Sequence, residues 1–245
     1  LAGVAGNDTI NGGPGVYTAS YALASSGVIA DLQTGSSTGG DGADVLFTIE
    51  QLVGSSHVDV LRGDAADNLI EPRAGNDVAD GRDGIDLISF GFSSTAIVAN
   101  MDTGTATGEG ADSFTQFEWL WASDGDDEIV GSAEDDVIFG TRGRDVVRAG
   151  AGDDVVLGGK GGDELRGQDG DDYLDGEDGV DFLYGGRGFD TCRDGAKVGC
   201  EANDIADIDL AESWRLRSPA SPHEPAASFF LLASRASLTA KAVPI

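Results

Sequence analysis

A nonapeptide recurs eight times without a slip of register from Gly125 onward. Each copy has an acidic residue at one fixed position and, two places later, Ile, Val, Leu or, in the last copy, Cys. The glycine and aspartate between them exclude long helices and long strands, because glycine loses the most backbone entropy on folding and aspartate competes for backbone hydrogen bonds. The acidic positions are Asp127, Asp136, Asp145, Asp154, Asp163, Asp172, Asp181 and Asp190.

This period predicts a solenoid. Six residues of each copy form a loop, and three, such as 155–157, form a short strand whose middle side chain points inward. Two copies complete one turn, so equivalent residues stack about 4.8 Å apart across parallel strands. The acidic residues therefore form two columns. Asp127, Asp145, Asp163 and Asp181 follow one edge, and Asp136, Asp154, Asp172 and Asp190 follow the other.

Stacked carboxylates require a cation between them, since like charges at this spacing repel. Carboxylates and main-chain carbonyls form a hard oxygen shell that suits calcium better than zinc or copper. The chain has 44 acidic and 15 basic residues and a net charge of -29, so it repels itself until cations neutralise it. We therefore expect several calcium ions, and no nucleic-acid partner, because no basic stripe offsets this field.

These loops resemble the RTX, or haemolysin-type, calcium-binding repeat G-G-x-G-x-D-x-U-x. The closest matches are GGKGGDELR, which starts at Gly158, and GGRGFDTCR, which starts at Gly185. The resemblance implies an all-β fold, a right-handed parallel β-roll in which loop carbonyls and the Asp of one turn and the next hold each calcium ion. The loop glycines that it adds to the metal sites are Gly152, Gly159, Gly161, Gly170, Gly179, Gly186 and Gly188.

The first half of the chain carries the same nonapeptide in interrupted form. One copy contains Asp8, and copies resume at Asp59, Asn68, Asp77 and Asp86. We assign Asp8, Asp59, Asp77 and Asp86 to calcium as well. Two long segments, which start near Ser20 and Ser89, interrupt the pattern and are copies of each other at an offset of 69 that falls to 68. Each is expected to form an enlarged turn, with strands in the first at 28–32 and 45–53.

We divide the chain into a duplicated segment at 1–124, a regular β-roll with an end cap at 125–201, and a partly disordered tail at 202–245. A short helix is expected near 228–240. On one sheet, the outward positions expected to face solvent include Val137, Phe139, Val155, Leu157, Tyr173 and Asp175. We expect the tail, through 229–232, to fold over the apolar ones, and a second chain or another domain is the competing occupant.

Cys192 and Cys200 are close enough in sequence to form a disulfide that fastens the last turn. Cys192 also occupies an inward apolar position, so a small buried thiol is the alternative. A calcium array favours an extracellular location, in which disulfides persist. No apolar run reaches the about 20 residues that a membrane-spanning helix needs.

Three functions fit this pattern. The first is a secreted module that folds when calcium, at about 0.1 to 1 mM, bridges its loops. The second is an adhesion module for a protein or glycan, in which Trp119 and Trp121 either stack on a sugar or pack in the core. The third is a polysaccharide-active enzyme or its appendage. His57 and His223 form no metalloprotease motif or obvious catalytic triad, and carboxylates bound to calcium are poor acids, so we expect no catalysis in this chain.

Overall fold

The computed structural model describes residues 1–2, 5–40, 42–200 and 202–203. Within these ranges the chain consists of short strands and connecting loops, with no helix. The expected all-β parallel β-roll is confirmed. The helix expected near 228–240 and the contact expected from 229–232 lie outside the described residues. No helix in the described part is long and apolar enough to cross a membrane.

Twenty-seven strands make up the described part of the fold. They are β1 (Thr9–Asn11), β2 (Thr18–Ser20), β3 (Val28–Asp31), β4 (Ser36–Gly39), β5 (Gly42–Phe47), β6 (Gln51–Val53), β7 (Val60–Arg62), β8 (Leu69–Glu71), β9 (Val78–Asp80), β10 (Leu87–Ser89), β11 (Val98–Asn100), β12 (Thr105–Thr107), β13 (Ala111–Thr115), β14 (Trp119–Trp121), β15 (Glu128–Val130), β16 (Val137–Phe139), β17 (Arg142–Gly143), β18 (Val146–Ala151), β19 (Val155–Leu157), β20 (Lys160–Gly161), β21 (Glu164–Asp169), β22 (Tyr173–Asp175), β23 (Asp178–Gly179), β24 (Phe182–Arg187), β25 (Thr191–Arg193), β26 (Ala196–Val198) and β27 (Ala202–Asn203).

Two main sheets wind through the roll. The long sheet has the order β1-β5-β4-β3-β7-β9-β13-β12-β11-β15-β18-β21-β24-β26, and the short sheet has the order β2-β6-β8-β10-β14-β16-β19-β22-β25-β27. From β15 onward, apart from the two-residue loop strands β17, β20 and β23, the chain alternates between the two sheets, and each strand pairs in parallel with the strand one turn later. Val156, for example, lies between Ile138 and Leu174 in register. Two nonapeptides per turn are thus observed.

The core is a narrow double row of inward side chains. One apolar residue per strand points between the sheets, because a three-residue strand turns only its middle side chain inward. In the regular part these residues are all fully buried: Ile129, Val147, Leu165 and Leu183 from the long sheet, and Ile138, Val156, Leu174 and Cys192 from the short one.

The enlarged turns are antiparallel insertions in the long sheet. β4 pairs antiparallel with both β3 and β5, whereas β5 pairs in parallel with β1, and β3 with β7. β11, β12 and β13 repeat this arrangement between β9 and β15, as the internal duplication predicts. The single strand expected at 45–53 was wrong, because Thr48 adopts a left-handed backbone and divides the segment into β5 and β6. β4 was not expected, because its sequence SSTG lacks apolar alternation; its Ser37 is held by Tyr21 and Asp44.

The loops are more regular than a coil. β17, β20 and β23 form a third parallel sheet, and β18, β21 and β24 extend to six residues. Stacking explains this difference from the expected unstructured loops, because a loop that repeats one turn later can hydrogen-bond to its copy. Asp178 N, for instance, donates to Gly159 O at 2.8 Å.

Two of the outward positions expected to be exposed are buried. Phe139 is 7% exposed and stacks on Trp121 of the neighbouring strand, with ring centroids 5.6 Å apart. Asp175 is also 7% exposed, and it accepts a hydrogen bond from Tyr173 Oη at 3.3 Å. Trp119 is 6% exposed. This burial favours packing over a sugar-stacking role for the Trp119–Trp121 strand.

A disulfide between Cys192 and Cys200 fastens the end of the described roll. Cys192 is fully buried at the inward position of β25, whereas Cys200, which follows β26, is partly buried against the core. Cys192 therefore both points into the core and forms the disulfide.

Candidate metal centre

The aspartates of each column are joined by main-chain hydrogen bonds. Along the first column, Asp127 N donates to Asp145 Oδ1, Asp145 N to Asp163 Oδ1, and Asp163 N to Asp181 Oδ1, each at 2.9 Å. Every carboxylate thus lies over the backbone of the turn before it. This spacing brings the side chains together as the period of nine predicts.

The second column repeats this ladder on the opposite edge. Asp136 N donates to Asp154 Oδ1 at 2.9 Å, Asp154 N to Asp172 Oδ1 at 3.0 Å, and Asp172 N to Asp190 Oδ1 at 3.1 Å. In the first half of the chain, Asp59 N donates to Asp77 Oδ1 on one edge. On the other edge, Asn68 takes a column position and its N–H donates to Asp86 Oδ1.

Four acidic residues of the enlarged turns also belong to the columns and were missed from the sequence. Asp8 N donates to Asp44, Asp77 N to Asp112, Tyr17 N to Glu50 and Asp86 N to Glu118, at 2.9 to 3.0 Å. Each is followed two places later by a buried apolar residue, the same signal as in the regular repeats. These residues are Leu46, Leu52, Phe114 and Leu120.

A second, exposed ladder runs one residue before each column. Asp153 N donates to Asp135 Oδ1 at 2.8 Å, and Asp171 N donates to Asp153 Oδ1 at 3.0 Å. The Asp-Asp doublets of these repeats were visible in the sequence, but only the second Asp was given a role. The first Asp of each doublet holds successive loops in register.

Seven of the column carboxylates keep one oxygen without a hydrogen-bond partner among the described residues. This oxygen is Oδ2, and it is buried in Asp8, Asp77, Asp86, Asp145, Asp154, Asp163 and Asp172. A buried polar atom left unpaired costs about 1 to 3 kcal/mol, and more when it is charged. An oxygen of this kind, repeated along both columns, is the donor that a cation would use.

Burial dominates the electrostatics of the columns. It raises the pKa of Asp145 and of Asp154 to about 8, and neighbouring carboxylates add to the effect, while the N–H from the previous turn lowers it. The pKa of Asp77 and of Asp86 rises to about 7, again mainly through burial. Ionising these carboxyls in the folded loops is therefore unfavourable unless a cation lies beside them.

Glycines leave the space that these oxygens need. A Cβ on Gly158 would approach Asp163 Oδ2 within 2.7 Å, and a Cβ on Gly161 would lie 1.5 Å from the carbonyl oxygen of Gly143. Gly159, with φ 101°, sits over the carbonyl of Thr141, which a Cβ would approach within 2.1 Å. Main-chain carbonyls thus stack beside the carboxylates.

The other glycines predicted for the sites occupy equivalent positions. Gly152, Gly170, Gly186 and Gly188 have φ between 117° and 143°. A Cβ on Gly179 would meet the carbonyl oxygen of Gly161 at 1.8 Å. Among the described residues, no three His, Cys, Asp or Glu side chains converge on one point. A metal in these columns would therefore take carboxylates together with carbonyls. His57 is an exposed loop residue.

The comparison with known families agrees with this geometry. The RTX calcium-binding nonapeptide repeat matches residues 1–16, 53–88, 121–156, 130–165 and 157–192, which together span half of the chain. The chain belongs to this family. Its RTX region is a calcium-binding β-roll, a structural module and not a catalytic one. No curated protein matches the chain.

The column residues fit the calcium that the RTX family binds. Unpaired, buried carboxylate oxygens alternate with carbonyls over glycines that no larger residue could replace without displacing them. Hard oxygen donors of both kinds are those that calcium prefers. Calcium would supply the positive charge that the stacked carboxylates lack.

Proposed function

We propose that this RTX roll is a secreted module that folds when extracellular calcium binds between its stacked loops. The observation that carries the proposal is the column of buried Oδ2 atoms without partners, in residues such as Asp145 and Asp163. An ionised carboxylate in this position costs several kcal/mol unless an opposite charge is near. Folding and cation binding are then a single step.

The size of the core supports this coupling. Each strand of the regular part contributes one inward side chain, such as Val147 or Leu165. A core this narrow buries little apolar surface per residue, and small cores need ligands or crosslinks to hold. Calcium supplies the missing stabilisation, because each site adds RT ln(1 + [Ca²⁺]/Kd) to the free energy of unfolding.

Two features favour an extracellular setting. Disulfides such as Cys192–Cys200 persist in oxidising compartments. Extracellular calcium modules bind with Kd of about 0.1 to 1 mM, so a roll of this kind stays empty where calcium is scarce. Export in an unfolded state and folding outside the cell follow from these two conditions.

The proposed ligands are the column aspartates at 8, 59, 77, 86, 127, 136, 145, 154, 163, 172, 181 and 190, with main-chain carbonyls of the loop glycines. Several ions per chain are expected. Neither a glycan site nor catalysis is part of this proposal, since the Trp119–Trp121 strand packs against its neighbours and the buried carboxylates are assigned to calcium.

The test is calcium binding by isothermal titration calorimetry in two charge-matched variants. Asp163→Asn removes a buried column charge, and it should lower the affinity of the site about tenfold or abolish it, because ligand charge sets calcium affinity. Asp169→Asn removes an exposed charge that pairs with Arg187, and it should change the affinity less than about twofold. Equal binding by the two variants would place calcium outside the columns.

A further inference from the structure

Ten loops of the roll fall into two kinds, distinguished by the residue four places before the column position. In the first kind this residue is left-handed. The loops that end at Asp77, Asp86, Asp145 and Asp172 have Arg73, Arg82, Thr141 and Gln168 there, with φ of 71° to 87°, and those that end at Asp154 and Asp163 have Gly150 and Gly159, with φ of 128° and 101°. We call these open loops.

In the second kind the same residue is Ser or Asp, and it caps the loop from inside. Its N–H donates to the column side chain, from Ser55 to Asp59, Asp64 to Asn68, Ser123 to Asp127 and Ser132 to Asp136, at 2.5 to 2.9 Å. Its side-chain oxygen accepts the N–H two residues later, at 2.8 to 3.1 Å. We call these four capped loops.

The two kinds differ in the oxygen that a cation needs. In the six open loops named above, Oδ2 is buried and has no hydrogen-bond partner among the described residues. In the capped loop of Asp136, Ser132 N donates to Oδ2 at 2.5 Å and Ser132 Oγ donates to Oδ1 at 3.1 Å. Asp59 and Asp127 are held in the same way by Ser55 and Ser123. An N–H directed at a carboxylate oxygen occupies a lone pair and presents positive charge where a cation would lie.

We infer that calcium enters only the open loops, and that the capped loops of Asp59, Asn68, Asp127 and Asp136 close on their own hydrogen bonds. This inference rests on the proposed function and deepens it, because it states which turns bind the ion. It removes Asp59, Asp127 and Asp136 from the calcium ligands that the sequence pattern assigns.

The internal duplication supports the distinction. The capped pair at Asp59 and Asn68 directly follows the first enlarged turn, and the pair at Asp127 and Asp136 directly follows the second. Each enlarged turn is thus followed by two loops that need no ion. The regular array beyond Asp136 consists of open loops as far as Asp172.

In the Asn68 loop, protein groups replace both the column carboxylate and the cation. Its column side chain is a neutral amide, and the nearby Gly63 carbonyl accepts a hydrogen bond from Arg82 Nη1 at 2.5 Å. The same guanidinium donates to both carboxylate oxygens of Asp31, at 3.0 and 2.7 Å. The Arg82 guanidinium therefore already binds a main-chain carbonyl of this loop.

Two reciprocal variants on the same edge test the inference. Ser132→Gly with Glu134→Gly changes the capped sequence GSAEDD at 131–136 into GGAGDD, which matches the open loop AGAGDD at 149–154 except at its first residue. Gly150→Ser with Gly152→Glu makes the opposite change. Bound calcium per chain is measured by equilibrium dialysis, and circular dichroism in saturating calcium checks that each variant folds.

The opened variant should bind one calcium ion more than the parent, and the capped variant at least one fewer. A folded opened variant that binds no more calcium than the parent would overturn the inference. Because the capped variant could fail to fold, anomalous scattering from calcium in crystals of the parent gives an independent reading. Ions at the Asp127 or Asp136 loops would overturn the inference, and ions confined to open loops, such as those of Asp154 and Asp163, would support it. A parent that binds no calcium at all would instead reject the proposed function.

Discussion

At the scale of single residues, the open loops carry backbone strain wherever glycine is missing. A left-handed backbone costs an L-residue about 1 to 2 kcal/mol, because Cβ approaches the following carbonyl. Gln168 has φ of 87°, while the residues in register with it one turn before and after are Gly150 and Gly186. The motif thus favours glycine here, because glycine has no Cβ and adopts this left-handed backbone without strain.

Replacing Gln168 with glycine should therefore stabilise the calcium-loaded roll by about 1 kcal/mol, the relief of strain less the added entropy of the unfolded chain. The measurement is urea unfolding at fixed, saturating calcium. Gln168→Ala keeps the strain and serves as the control, with no gain expected. A loss of stability in Gln168→Gly would show that the Gln side chain contributes more than its backbone costs.

At the scale of elements, the two carboxylate columns set how the roll responds to protons and to calcium. Burial raises the pKa of Asp145 and Asp154 to about 8, whereas carboxylates of an unfolded chain titrate near 3.8. Between these values the metal-free folded state binds more protons than the unfolded state. Its stability is therefore present at acidic pH and is lost as pH rises through about 8.

Acidification should accordingly fold the metal-free chain in part. We expect the far-ultraviolet β signal of calcium-free protein to increase between pH 8.5 and pH 5.5, because protons neutralise the columns in place of calcium. Protein in saturating calcium should keep a constant signal over this range, and light scattering excludes aggregation. A metal-free signal that is unchanged or weaker at pH 5.5 would contradict this account of the columns.

The columns and the core follow from the period of nine, but the enlarged turns and the loop types do not. Asp145 and Asp163 could be placed together because equal spacing fixes which residues stack. Glu50 and Glu118 lie nine residues before Asp59 and Asp127, and they escaped notice because glutamate replaces the aspartate of the motif there. Loop type depends on backbone conformation that similar residues do not share: Thr141 is left-handed and open, whereas Ser132 caps its loop. A glycine two places before the column residue does not determine whether the loop is open or capped, since the capped Asp127 loop has Gly125 there.

At the scale of the whole molecule, charge opposes the fold that the repeats specify. A net charge of -29 acts against compaction, and the inward residues supply one apolar side chain per strand. The enlarged turns add larger buried side chains, including Tyr21, Phe90 and Phe114. A pair of capped loops, which need no ion, therefore precedes each run of open loops, which need one. Calcium binding then controls the folding of the regular array.

The most direct measurement is a calcium titration of the whole chain followed by far-ultraviolet circular dichroism, with magnesium as the control. The account predicts a cooperative gain of β signal with calcium, with a midpoint of about 0.1 to 1 mM, and no comparable gain with magnesium, which demands a smaller and more rigid oxygen shell. A chain already fully folded in chelator at neutral pH would contradict it, because the core and the disulfide would then hold the roll without the ion.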